Sequence, residues 1–112
     1  MIYEMNLHPG PFESIRSGRK DIEMRLYDDR RKSIRIGDEI VFTNNETRET
    51  IKVLVVNLYR FNNFEELYSQ FDKTRLGYSK DDIADSKDME FYYSIDKIKQ
   101  YGVLAIEIKL IK

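Results

Sequence analysis

The period of the apolar positions changes several times along the chain, and each change predicts an element. The opening "IYEMNL" reads as a first strand. "HPGPFESIRSG" follows, with Pro11 suited to the first turn of a helix, where its missing N–H costs nothing. Phe12 and Ile15 share one face of that helix, and Gly18 fits the left-handed position just past its end. Residues 20–27 switch to period two. Ile22, Met24 and Leu26 point one way; Asp21, Glu23 and Arg25 point the other. After the polar turn "YDDRRKS", the stretch "IRIGDEIVF" predicts a strand, a Gly37-Asp38 turn and a second strand. "TNNETRET" is a hairpin tip. Residues 51–60 form a long strand, and the apolar run at 53–56 predicts cover on both faces.

Helical spacing takes over next. Asn63 caps a helix whose third residue is Glu66, a capping-box arrangement. Phe64, Leu67, Tyr68 and Phe71 form one apolar stripe at i, i+3, i+4 and i+7. "YSKDDIADS" predicts a short turn of helix after Ser79. "DMEFYYSIDKIKQYG" holds a last helix, capped by Ser94 and ended by Gly102. "VLAIEIKLI" closes the chain as a strand, with Leu104, Ile106, Ile108 and Leu110 towards the core and Glu107 and Lys109 away from it. The order is β-α-β-β-β-β, a helical insertion, then β. That is an α+β domain with a closed or nearly closed sheet, a small barrel with helices laid against it.

Composition narrows the class. A chain of 112 residues makes one domain, 1–112. Domains of this size bury roughly 65% of the unfolded surface and need no disulfide or metal to fold. Cysteine is absent and His8 is the one histidine, so thiol chemistry and Cys/His zinc sites are excluded. No cofactor is expected. The apolar runs are too short to span a bilayer, and "MIYEMNLHPG" has no basic start followed by an apolar stretch, so a cytoplasmic protein is expected. Net charge is −1, so any nucleic-acid binding must come from a local patch and a shaped pocket rather than a global field. The cations do cluster early, from Arg16 to Arg35, and the acids are frequent from Glu65 to Glu90, which suggests one positive face.

The octet "GRKDIEMR", residues 18–25, concentrates the chemistry. Glu23 and Arg25 share a strand face, and Lys20 at the strand mouth can swing towards the same cleft. Such a set is either a solvated same-face pair or a cationic hook with an acid. An arginine fork holds phosphate with two hydrogen bonds, a lysine serves as a point charge or a base, and a glutamate accepts hydrogen bonds or moves a proton. Spacing alone does not choose between these.

The stretch "SGRKDIEMRLYDDRRKSIRIGDEIVF" resembles the signature of the ASCH domain family of the PUA-like group. Its G-x-K-x-x-E-x-R pattern is matched by Gly18, Lys20, Glu23 and Arg25. "IGDEI" at 36–40 resembles the family's next element, and "YGVLAIEIKL" its final strand. The resemblance implies a PUA-like β-barrel with short helices bordering a cleft, the motif lining that cleft, and binding of RNA or modified nucleosides. One branch of the family hydrolyses N4-acetylcytidine with a lysine, a threonine three residues later and a distant glutamate. Here Glu23 stands where that threonine would be, which counts against carrying the amidohydrolase activity over. Glu65, Glu66 and Glu107 are candidates for the distant acid.

Other residues join the candidate site. The eight tyrosines can supply base-stacking platforms, worth ~1–3 kcal/mol per base, or serve as wall and core. Tyr27 and Tyr93 are the site candidates; Tyr68 and Tyr101 read as core. His8 is kept because the family's first strand leads to the cleft. Asp28 and Asp29 read as a solvated acidic turn rather than a magnesium site. "DDRRKSIR" is the phosphate patch, through Arg30, Arg31 and Lys32 with Arg35. The small pocket favours a single-stranded or extruded base over duplex. Three functions follow: a module binding RNA or a nucleotide-like ligand through Lys20, Glu23 and Arg25; a hydrolase acting on a modified nucleoside or on RNA, with Lys20 and Glu23 as base and acid; or a structural domain whose motif braces the barrel.

Overall fold

The computed structural model describes residues 1–111; Lys112, the last residue of the expected domain, lies outside them. Five strands are present: β1 Ile2–Leu7, β2 Ile22–Leu26, β3 Glu39–Asn44, β4 Thr50–Phe61 and β5 Val103–Leu110. They form one sheet in the order β1-β3-β4-β5-β2, antiparallel except for the β1–β3 pair. The sheet curls into a half-barrel, with short helices packed on it. Helix α1 is Pro9–Arg16, α2 is Phe64–Gln70, and α3 is Ile95–Tyr101; a 3₁₀ stretch covers Ser86–Phe91. Among the described residues no helix is long and apolar enough to cross a membrane.

Alternation along the strands gives the sheet two buried faces. On one face Ile40, Phe42, Val53, Val55, Leu104 and Ile106 pack against Phe12 and Ile15 of α1. On the other, Ile22, Met24, Leu26, Val103 and Ala105 pack against Phe64 and Leu67 of α2, Ile98 of α3, Leu76 and Met89. Glu23 pairs with Ile106 and Arg25 with Leu104 across the β2–β5 ladder, so both charged residues lie on the α1 face. β4 changes allegiance along its length. A register shift between Val55 and Asn57 reverses the alternation, sending Leu58 to the α1 face and Tyr59 and Phe61 to the α2 face. The expected cover of 53–56 on both faces is therefore partial: Val53 and Val55 are buried, whereas Leu54 and Val56 are half-buried.

Three local expectations change. Residues 34–36 are not a strand. The Arg35 N–H donates to the Asp38 carboxylate at 2.9 Å, and Gly37 and Asp38 bond instead to Val55 of β4. The segment is a turn clamped onto β4, with Ile34 in the core. After Ser79 there is a single turn rather than a helix, because Asp82 accepts from the Ser79 N–H at 2.8 Å and folds the chain back on itself. The last helical stretch is two pieces, the 3₁₀ segment and α3. Ser94 begins α3 by accepting from the Lys97 N–H. The Asn63 cap forms at 2.9 Å, but the Glu66 carboxylate takes the Asn62 amide, so the box is half made.

Gly102 turns the chain from α3 into β5. Its φ of 72° and ψ of −173° belong to a region essentially reserved for glycine, and a Cβ there would meet the Phe61 carbonyl oxygen at 3.0 Å. A backbone oxygen held in the β4–β5 ladder cannot step aside. Gly102→Ala should therefore lower the unfolding free energy by about 1–3 kcal/mol in urea titrations. An unchanged midpoint would show that this junction relaxes freely.

Candidate functional site

β2 begins only at Ile22, so Lys20 escapes strand parity. Its backbone N–H donates to the Ser14 carbonyl in α1, and the Asp21 and Ile22 N–H groups donate to the Arg75 carbonyl. Two segments thus pin the strand mouth. Gly77, at φ 108°, lies over the lysine stem, and a Cβ there would come 3.2 Å from Lys20 Cδ. The result is a lysine 7% exposed whose Nζ stands 3.0 Å from Glu23 Oε1.

Glu23 is the hub. Its Oε1 also accepts from the Met24 N–H at 3.2 Å. Its Oε2 accepts from Arg25 Nε at 3.1 Å and from Nη2 at 2.8 Å. Arg25 Nη2 then donates to the Asn6 carbonyl of β1 at 3.2 Å. β1 and β2 are the two edges of the sheet, so the arginine ties the edges of the half-barrel together. Burial pushes the Glu23 carboxyl up, but the Lys20 ammonium and the Arg25 guanidinium more than reverse this and hold it down at about 2.

The trio borders an open cleft of about 680 Å³. Its walls come from the β1–α1 junction, the β2 mouth and the segment from α2 to Tyr93. Lys20, Glu23, Arg25, His8 and Tyr93 of the expected set line it. His8 precedes α1, its Nδ1 stands 3.2 Å from the Asn45 amide, and its ring centroid is 6.0 Å from that of Tyr92. Tyr93 is stacked on Phe64 at 6.0 Å. Burial raises its hydroxyl pKa, with Arg25 and Arg31 acting against the rise.

The other candidates sit elsewhere. Arg30 and Arg31 line a smaller hollow of about 200 Å³, which shares Arg25 and Asn6 with the main cleft. Arg31 is paired to Asp28 at 2.6 Å, and exposed Lys32 stands 3.5 Å from Asp29. Tyr27 lines neither cavity. The Arg60 guanidinium lies 3.9 Å from its ring centroid and the Lys32 ammonium 6.0 Å away. Glu65, Glu66 and Glu107 do not line the cleft either. Glu107 instead accepts from Tyr59 and pairs with Arg75. The acid that does join Glu23 in the cleft lining is Asp88. Tyr68, Tyr78, Tyr92 and Arg19 line it too, and Tyr68, read as core from its stripe, is only half-buried. Among the described residues no group of three or more His, Asp or Glu side chains is placed to hold a metal ion.

The family model of the ASCH domain matches residues 5–112. The chain belongs to the ASCH domain family. Two solved structures are similar over its whole length. The hypothetical protein PH0355 is 32% identical at a TM-score of 0.80, with 99% of this chain and 100% of that one covered. Protein PF0455 from Pyrococcus furiosus is also 32% identical at a TM-score of 0.72, covering 100% and 99%. The ASCH protein from Zymomonas mobilis shares the fold at a TM-score of 0.68 with 13% identity; 96% of this chain covers 66% of that one. No functionally curated protein matches the chain. Membership of the ASCH family supports, in general terms, an RNA-binding module of PUA-like type.

The depressed Glu23 pKa makes an acid prediction. A carboxyl whose folded pKa lies below its unfolded value stabilises the fold above the unfolded value. For this ASCH domain that stability should drain as pH falls from about 4.5 towards about 2, on the order of 3 kcal/mol in total. Glu23→Gln should lose about 3–5 kcal/mol near neutrality, because Lys20 is left buried beside an uncharged partner, and should show a shallower acid dependence. Urea titrations at several pH values read both. A variant as stable as the parent, with the same acid slope, would remove Glu23 from the centre of the fold.

Proposed function

We propose that this ASCH domain, acting over residues 1–112 in the cytoplasm, binds single-stranded RNA or a nucleotide-like ligand by taking one unstacked base into the cleft. The observation that carries this reading is the state of Lys20. Among the described residues its buried ammonium has one acceptor, Glu23, and it borders an open cleft rather than a sealed core. An ammonium has three donors, so donor capacity is left for a ligand's carbonyl or phosphate oxygen. Arg25 spends Nε and Nη2 on Glu23 and the Asn6 carbonyl, and its guanidinium also faces the Tyr93 hydroxyl at the cleft wall. The Tyr93 hydroxyl is close enough to the guanidinium to feel its charge. Lys20 and Arg25 therefore offer fixed positive donors, held in place before any ligand arrives, which lowers the ordering cost of binding.

Glu23 takes a different role from direct ligand contact. Four protein donors occupy its two oxygens, and it serves to hold the two cations. The same saturation weighs against a hydrolase using Glu23 as its acid or base, since its lone pairs are already engaged. His8 and Tyr93 flank the bound base. Arg30 and Arg31, in the hollow that shares Arg25 with the cleft, and Lys32 beside them anchor the phosphates on either side of it. The Arg60-covered ring of Tyr27 supports this turn from below rather than stacking on a base.

A pool of short random single-stranded RNAs tests the reading by filter binding at several salt concentrations. The parent should bind at low salt, and Lys20→Met, which keeps the stem and removes the charge, should weaken binding about tenfold. Replacing both Arg30 and Arg31 by Ala should flatten the slope of log K against log salt by roughly 0.7 for each phosphate that is no longer neutralised. Absence of binding at low salt, or a Lys20→Met variant equal to the parent, would overturn it.

A further inference from the structure

The part of the cleft built by the segment from α2 to Tyr93 has a polarity opposite to that of the β2 mouth. Tyr78 Oη lies 2.7 Å from Asp88 Oδ2, and Tyr68 Oη lies 2.8 Å from Tyr78 Oη. All three residues line the cleft and all are half-buried. The direction of this chain follows from counting protons. A carboxylate only accepts, and the Asp88 oxygen at 2.7 Å lies closer to the Tyr78 hydroxyl than the Asp85 carbonyl at 3.3 Å, so Tyr78 gives its one proton to the carboxylate. Tyr78 can then only accept from Tyr68, which commits its own proton in turn. Both hydroxyl protons are engaged, and what remains towards the cleft is a set of acceptors: the Asp88 carboxylate and the Tyr68 oxygen. Asp88 Oδ1 has no donor among the described residues. Burial, followed by the bonds to Tyr68 and Asp88, raises the Tyr78 hydroxyl well above its ordinary value, so it stays a donor across the physiological range.

The two sides of the cleft are thus complementary in kind. The β2 mouth offers donors from Lys20 and Arg25; the Tyr68–Tyr78–Asp88 chain offers acceptors. A ring that carries an oxygen acceptor and an exocyclic amino group satisfies both sides at once. Uracil has no amino group, and its O4 would face the Asp88 carboxylate, oxygen against oxygen.

We propose that Asp88, held by Tyr78, is the specificity-determining residue of the cleft and accepts the exocyclic amino group of the bound base, so that the domain prefers an amino-bearing base to uracil. The proposal rests on the RNA-binding reading above. Asp88 touches the base; Tyr78 is a positioning residue that acts through it. An amino group left facing Asp88 is paired, whereas a carbonyl there strands two acceptors away from water, which is the larger penalty.

Two oligouridines decide it, one uniform and one with a single central cytidine. Cytosine and uracil have the same size; the exchange turns the C4 amino donor into a carbonyl acceptor and the ring N3 from an acceptor into an N–H donor, so the Asp88 variant is what assigns the preference to the C4 group. The parent should bind the cytidine oligomer about tenfold more tightly. Asp88→Asn, which keeps the shape and can turn its amide donor towards O4, should reduce that ratio to within about twofold, chiefly by tightening binding of the uniform strand. Tyr78→Phe should erode the ratio partially, and its thermal melt and circular dichroism separate loss of positioning from loss of fold. Equal binding of the two strands by the parent, or an unchanged ratio in Asp88→Asn, would overturn the assignment of Asp88 and leave the binding reading standing. Failure of the parent to bind either strand at low salt would bring down the binding reading, and this one with it.

Discussion

A carboxylate 3% exposed to solvent costs several kcal/mol to bury, and Glu23 is tolerated only because four donors surround it. That requirement organises the rest of the structure. Two of the donors belong to Arg25, which in meeting Glu23 also reaches the Asn6 carbonyl of the opposite sheet edge. A side chain thereby crosses a seam that no strand ladder closes among the described residues, since β1 pairs with β3 and β2 with β5. A third donor belongs to Lys20, which can approach Glu23 because the chain is not yet a strand at that residue. The contacts that neutralise Glu23 are also those that hold two cations at the cleft.

The period-two and helical patterns make most of the fold legible. They place β1, α1, β2, β4, α2 and β5 and the caps at Asn63 and Ser94, because each of these is set by contacts close in sequence. The pattern misleads at irregular segments. "IRIG" alternates well enough to read as a strand, yet the Asp38 carboxylate captures the Arg35 N–H that a ladder would need, and the outcome depends on β4 lying alongside. The apolar run in β4 announces only half of its two-sided packing, because the register shift at 55–57 swaps faces midway. No periodicity in "VLVVNLYRF" marks where an extra residue is inserted.

For the site the division falls in the same place. Lys20, Glu23 and Arg25 are readable because they sit on one short stretch with a recognisable spacing, and His8 and Tyr93 because they flank predicted element boundaries. Asp88 and Tyr78 are not. They come from the segment between α2 and α3, where turns and a 3₁₀ stretch replace regular structure. Their bond joins residues ten apart that follow no helical or strand period. The one available signal is the density of tyrosine and aspartate between 68 and 93, which reads equally well as a solvated surface. The apolar stripe puts Tyr68 in the core, and its ring does pack on Tyr78 at 5.9 Å, yet the residue also lines the cleft. An amphipathic side chain fits both descriptions, and periodicity sees only one end of it.

The saturation of Glu23 bears on what kind of site this is. A residue that performs acid–base chemistry must exchange its proton with a substrate, which requires a lone pair or proton not already committed. Here the acid nearest the buried lysine is fully committed, and the other acid of the cleft, Asp88, whose Oδ1 has no donor among the described residues, belongs to a separate hydrogen-bond chain with Tyr78. The charges are therefore fixed in position, with donors on one side and acceptors on the other. A fixed pattern of this kind discriminates well, because a wrongly patterned guest leaves groups unpaired in a confined space and is penalised for each one. It transfers protons poorly, because moving any one of them would unbalance a buried ion network. The geometry of the cleft is what the proposed reading of polar base edges requires.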